Sequence, residues 1–213
     1  MRWFAILFLL VINGMVWGAL HELHLVGGMP VVMLLTAVLS FATILVHELG
    51  HAVAAARIGG KVSAIMVLPF ELRFRPLRLR LAPRDKHRDL GGYVIYAPPP
   101  GLTRRQHLLV TAAGPLANFA LAPLALLLGM WAAAYFSSGS WPAAPGHAGL
   151  LPNDVDVLAR AHWYSSLQAG SRSQLLANAL AILSAGVGVA NLIPFAGSDG
   201  ATILRLLRPH RTA

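Results

Sequence analysis

Four stretches of this chain, residues 3–20, 30–56, 106–135 and 173–195, are long and apolar enough to cross a bilayer, where a helix needs about 20 residues. No other feature constrains the fold as strongly. Backbone groups inside hydrocarbon must bond to one another, and the helix is the local way to do so. At 56% apolar and 12% charged residues, the composition departs from that of ordinary soluble domains. The expected architecture is an all-α polytopic membrane protein: one membrane-embedded domain over 1–213, about four transmembrane helices, and a small cytoplasmic membrane-associated β-sheet.

The basic residues assign sides to these spans. Of the 17 Lys and Arg, eleven fall between Arg57 and Arg105, none between His21 and Gly28, and two (Arg160 and Arg172) between Ser137 and Arg172. Cytoplasmic loops carry such an excess, so both termini and the 57–105 loop are expected in the cytoplasm and the 137–172 loop outside. The net charge of +9 is then explained by topology and anionic lipid rather than by nucleic acid. The first segment also fits a cleaved signal peptide, with Arg2 before the apolar run and Gly18 and Ala19 at its end. That alternative leaves the sides of the later spans unchanged.

Within the 57–105 loop, "KVSAIMVLPF", "ELRFRPLRLRLAP" and "GGYVIYAP" read as three strands, the second with a bulge or bend at Pro76 where its alternation shifts parity. The resulting sheet has one greasy and one Arg-rich face, suited to lipid headgroups. The 137–172 link is expected to be an external loop carrying at most a short interfacial helix around Trp163 and Tyr164. The tail is 196–213.

There are no cysteines, so a tightly held transition metal must use His, Asp or Glu. "VHELGHAV" (46–53) supplies them inside the second span. His47 and His51 are four residues apart, project from nearly the same helix face, and can hold one ion. Glu48 lies about 100° round the helix from His47, where it can act on water as a base without being a ligand. A charged residue at the centre of a membrane helix costs about 2.5–3.5 kcal/mol on insertion scales, which argues against an accidental match. A catalytic zinc usually has three protein ligands. Asp199, in "NLIPFAGSDG" at the cytoplasmic end of the last span, is the best candidate for the third, with His107 the runner-up. Pro194, Gly197 and Gly200 are expected to break the helix there. Asn191 is either a polar group at the site or interhelical glue. In "AAGPLANF", Gly114 permits close helix contact and Asn118 needs a polar partner.

In order, "HELGH" (47–51), "AAGPLAN" (112–118) and "NLIPFAGSDG" (191–200) resemble the site-2 protease family of intramembrane zinc metalloproteases, from about Pro30 to Leu207. "GGYV" (91–94) resembles the membrane-associated β-loop that family members place beside the active site. The resemblance implies one Zn2+ per chain held by His47, His51 and Asp199, with Glu48 as general base. It implies hydrolysis of a peptide bond in or near the transmembrane segment of a membrane-protein substrate, as in regulated intramembrane proteolysis. It further implies that Asn191 helps to hold the extended substrate and that the 91–94 segment pairs with it; Gly92, Tyr93 and Asn118 join Asn191 as expected substrate contacts. Members usually have an apolar residue before the Asp-Gly pair, where this chain has Ser198. The stretch between Asn118 and Asn191 is too short for the PDZ domains that some members carry. The other expected partner is the bilayer, and the Ala- and Arg-rich composition points to a bacterial inner membrane. Two rivals use the same residues: a zinc transporter with a transit site, and an inactive scaffold.

Overall fold

A computed structural model describes residues 14–18, 29–81, 91–137 and 152–208. Among these, the chain forms three long helices, a small antiparallel sheet and a short final helix. Helices α1 (Met29–Arg57), α2 (Arg104–Ser137) and α3 (Pro152–Leu192) each contain a stretch long and apolar enough to cross a membrane, at Pro30–Arg57, Arg104–Phe136 and Gly170–Leu192. Three candidate spans are therefore present among the described residues. The fourth expected span, 3–20, lies outside them except for helical residues 14–18, where Val16 packs on Val32, Ala179 and Leu183.

α2 lies between α1 and α3 and packs on both. Small residues allow the approach: a Cβ added at Gly50 of α1 would stand 2.8 Å from the Ala117 Cβ of α2. In an apolar bundle such contacts replace a hydrophobic driving force that lipid does not supply. The third helix corrects the expectation for 137–172. It starts at Pro152 rather than near Ser173, so most of the expected external loop is the first half of one 41-residue helix. An apolarity window detects lipid contact, whereas helix propagation depends on the backbone. No proline falls between Pro152 and Pro194, Pro152 suits a first helical position, and the buried Gly170 costs only about 1 kcal/mol of propensity.

α1 ends at a left-handed glycine, Gly59, with a φ of 88°. The amide of Gly60 bonds Ala55 O at 2.9 Å and that of Gly59 bonds Ala56 O at 3.0 Å, which satisfies the last carbonyls as a Schellman turn. The chain enters β1 (Lys61–Val67) at once, followed by β2 (Phe70–Phe74), β3 (Leu77–Leu81) and β4 (Gly92–Ala97). All pairings are antiparallel in the order β3-β2-β1-β4. The sheet thus has four strands, not the expected three. Arg75 and Pro76 form the turn between two of them, and with Phe74 opposite Leu77 the chain reverses where a bulge was expected. The inner face of β1, at Ile65 and Val67, packs with Ala52, Phe41, Ile44 and Leu45 of α1 and with Val94 of β4. Phe41 meets Phe70 edge to face at 6.2 Å, a geometry worth about 0.5–1.5 kcal/mol beyond its buried area.

Glu71 of β2 is fully covered, with Oε1 2.6 Å from Arg73 Nε and 3.1 Å from Arg80 Nη2. Burial pushes its carboxyl pKa up, but the hydrogen bonds from Arg73 and Arg80 outweigh that and hold it below the ordinary value of 4.5. A group held low when folded adds stability above its unfolded pKa, and this is lost as pH falls through the folded value. The thermal midpoint in detergent, followed by circular dichroism, is expected to drop as pH falls below 4.5, and Glu71→Gln to make that drop shallower.

Candidate metal centre

His47 and His51 sit one turn apart on α1, their rings edge to face with centroids 4.8 Å apart. Their Nε2 atoms are 3.1 Å apart. Neither orientation is left to chance. His51 Nδ1 donates to Val110 O of α2 at 2.7 Å, and His47 Nδ1 lies 3.2 Å from Asn118 Nδ2 of the same helix. Metal-ligating histidines are typically fixed through the second ring nitrogen in this way.

The carboxylate arrives from the far end of the chain. α3 stops at Leu192, two residues before Pro194, and the chain turns through Gly197, whose φ is 92°. Ser198 then caps the last helix, α4 (Asp199–Leu207): its Oγ accepts from Ala201 N at 3.1 Å and donates to Ile193 O at 2.7 Å. A serine cap satisfies an otherwise orphaned amide, and the first helical turn favours a carboxylate. Asp199, the first residue of α4, thereby brings Oδ2 to 3.1 Å from His47 Nε2 and 3.3 Å from His51 Nε2. α4 is held from below, where Arg104 Nη2 donates to Arg208 O at 3.0 Å.

The cluster fits a cation. Asp199 Oδ2 is buried, makes no well-formed hydrogen bond, and lies against the two imidazole Nε2 atoms at distances that one shared cation would satisfy together. Gly114 of α2 leaves the room: a Cβ there would stand 2.7 Å from His47 Nε2 and collide with His51 Nε2. Two nitrogens and one oxygen within 4.8 Å of one another are a donor set that suits zinc with one position open. Among the described residues this is the one such group.

All three side chains border a cavity of about 790 Å³, walled by α1, β4, the start of α2, the end of α3 and the 195–199 turn. Glu48 lines the same cavity, is nearly buried, and has the backbone of β4 directly above it, since a Cβ on Gly92 would lie 2.6 Å from Glu48 Oε1. Gly92, Tyr93 and Asn191 also line the cavity, and Asn191 Nδ2 donates to Val187 O at 3.0 Å. His107, the runner-up ligand, is on the wall but outside the cluster. Asn118 differs from its expected place among the substrate contacts. It is fully buried behind His47 and absent from the cavity wall, because its polar partner is the ligand ring. Two parts of the site had no signal in the sequence as read, the Val110 carbonyl and the Ser184 hydroxyl, which lies 3.0 Å from Asn118 O; Gly114, read as permitting close helix contact, also makes room for the two imidazoles.

A helix carrying H-E-x-x-H, completed by an acid from a distant turn within a bundle of candidate membrane spans, defines the class of intramembrane metallopeptidases. The chain matches Peptidase family M50 over residues 35–212. It belongs to that family, the site-2 proteases, whose members are zinc-dependent. No curated protein and no solved structure matches it.

Two substitutions address the centre. Asp199→Ala is expected to lower zinc content, measured by atomic absorption on the purified protein. Gly114→Ala is expected to reduce it similarly by filling the space between the imidazoles, although no ligand is removed.

Proposed function

We propose that the chain is a zinc endopeptidase that cleaves peptide bonds in or near the transmembrane segments of membrane proteins. The observation that carries this reading is that the His47, His51 and Asp199 cluster, Glu48 and β4, the last strand in the sheet order, all border one cavity between candidate spans. His47, His51 and Asp199 are the residues that would hold the zinc. When bound, the metal supplies Lewis-acid polarisation of the scissile carbonyl and a lowered water pKa. Glu48 takes a proton from the attacking water and passes it to the leaving amine.

A substrate helix hides its carbonyls in its own hydrogen bonds, so it must unwind before attack. Among the described strands β4 pairs with β1, and a substrate strand laid along its outer edge would replace part of the bonding lost in unwinding. Gly92 and Tyr93 would contact the added strand, and Asn191 would hold it from the α3 side. Asn118 is reassigned from substrate to ligand support. The bilayer partners the β2–β3 hairpin: Phe70, Leu72 and Phe74 share a face with Leu77, Leu79 and Leu81, and those last three are 72%, 67% and 72% exposed. That face suits acyl chains, while Arg78 on the opposite face suits phosphates. The excess of Lys and Arg in the loop that contains the sheet supports a cytoplasmic site.

Glu48→Gln tests the reading. The variant is expected to retain zinc while cleavage of a membrane-embedded substrate falls by about 10²-fold or more, the usual scale for losing a general base. Cleavage at the wild-type rate would remove Glu48 from the mechanism. Zinc uptake into protein-containing liposomes, without cleavage, would favour a transporter.

A further inference from the structure

α4 is a short helix with two unlike sides. At about 100° per residue, Asp199, Thr202 and Leu206 fall on one side, where Asp199 and Thr202 border the cavity. Leu207, Leu204, Arg208 and Arg205 fall on the other, and all four are exposed, Leu204 at 43% and Leu207 at 58%. The protein covers little of this helix. Gly200 is its one buried residue, seated where a Cβ would collide with Leu192 O. Nine residues are also fewer than the roughly 12–15 at which a helix begins to hold itself in water, so α4 depends on what it lies against.

Cationic side chains gather at its far end. Arg104 Nη2 donates to Arg208 O at 3.0 Å, which brings the start of α2 beside the end of α4. Arg104, Arg105, Arg205 and Arg208 are all exposed, and none of them pairs with an acid among the described residues. Four guanidiniums at one corner repel one another unless an anion sits among them. What adjoins them indicates its kind. Arg104 begins the candidate span Arg104–Phe136; further along α2, Leu109, one turn on from Arg105, is 63% exposed and Leu116 60%. Charge gives way to bare leucine along α2 as headgroups give way to acyl chains, and α4 sets Leu204 and Leu207 beside its own arginines. A free phosphate or a nucleic acid would use the arginines and leave the leucines in water, whereas an anionic phospholipid uses both.

We propose that this corner, the outer side of α4 with Arg104 and Arg105, binds anionic phospholipid, and that the lipid keeps α4 formed and Asp199 at the metal centre; the first part stands alone, and the second rests on the zinc-centre reading. Ser198 Oγ accepts from Ala201 N only while the first turn is helical, and it is from that turn that Asp199 Oδ2 reaches the imidazoles. A helix this short forms as one cooperative unit, so a lipid held at Arg205 and Arg208 opposes unwinding at Asp199 as well.

Full-length protein in nanodiscs of phosphatidylcholine, or of equal parts phosphatidylcholine and phosphatidylglycerol, tests both parts. Without metal, hydrogen exchange of the 200–207 amides is expected to slow about tenfold in the anionic discs, the scale for two arginines at a charged surface. Zinc dissociation constants, from chelator competition, are expected to tighten about fivefold or more there, as the competent form of α4 becomes more populated. Arg205→Gln combined with Arg208→Gln is expected to lose both responses, and the paired Lys variant to keep them. Both positions are exposed and the three residue types have similar helix propensity, so these variants are expected to fold; should the Gln pair not fold, the wild-type comparison decides. Equal exchange in the two discs would overturn the lipid surface, as would a full response in the Gln pair, a lost response in the Lys pair, or the same slowing by inorganic phosphate in neutral discs. Slowed exchange with unchanged zinc affinity would overturn the second part. So would equal zinc tightening in the wild type and the Gln pair, which is the pull of an anionic surface on the cation itself. A wild type without zinc affinity in either disc would overturn the zinc-centre reading, and the exchange result would still judge the lipid surface.

Discussion

Two imidazoles one helical turn apart form a fixed point to which the rest of the chain has to come. They are attached to α1, whose length and apolarity commit it to the bilayer, so the third ligand must be delivered by another element. The chain does this with a stop and a restart: α3 ends before Pro194, Ser198 caps a new helix, and Asp199 is that helix's first residue. The same serine also bonds Ile193 O and Phe195 O, and so ties the turn to itself. A carboxylate on an unsupported loop would have no defined approach to the histidines.

The same economy governs the polar groups of the bundle. An ionised or hydrogen-bonding group in hydrocarbon is costly unless paired, and nearly every one here has a stated partner. His51 has the Val110 carbonyl, His47 has Asn118, Asn118 has Ser184, and in the sheet Glu71 has two arginines. Asp199 Oδ2, buried at the centre, makes no well-formed hydrogen bond but lies 3.1 and 3.3 Å from the two imidazole Nε2 atoms, a set that one cation would satisfy. Thr43 Oγ1, one turn before His47 on α1, is also buried without a partner; nothing in the structure explains it.

What the sequence disclosed follows from how local each feature is. His47, Glu48 and His51 are legible because helix periodicity alone puts them together. Asp199 is legible because a proline, glycines and an acid at the end of a span mark a break. Asn118 was visible as a polar group needing a partner, but which partner depends on the rotation of α2 against α1, and no spacing encodes that. Ser184, within "AILSAG", reads as a small packing residue, and the carbonyl of Val110 is common to every residue type. The early start of α3 was hidden because "NDVDVLARAHWYSSL" lacks the apolarity that marked the other spans, while its backbone is equally able to coil. The fourth strand was hidden because Pro76 suggested a bend within one strand.

The junction between α1 and the sheet has one more implication. Three residues separate them, and the Schellman turn at Gly59 locks that hinge while the main chain of Gly92 rests on Glu48. The β4 rim of the sheet is therefore registered against the acid by main-chain atoms. A peptide docked there would be graduated in steps of about 3.3 Å, like a rule with its zero at the carboxylate. Selection would then depend on which residue of a target can be drawn into extended form at that mark, more than on any side chain it displays.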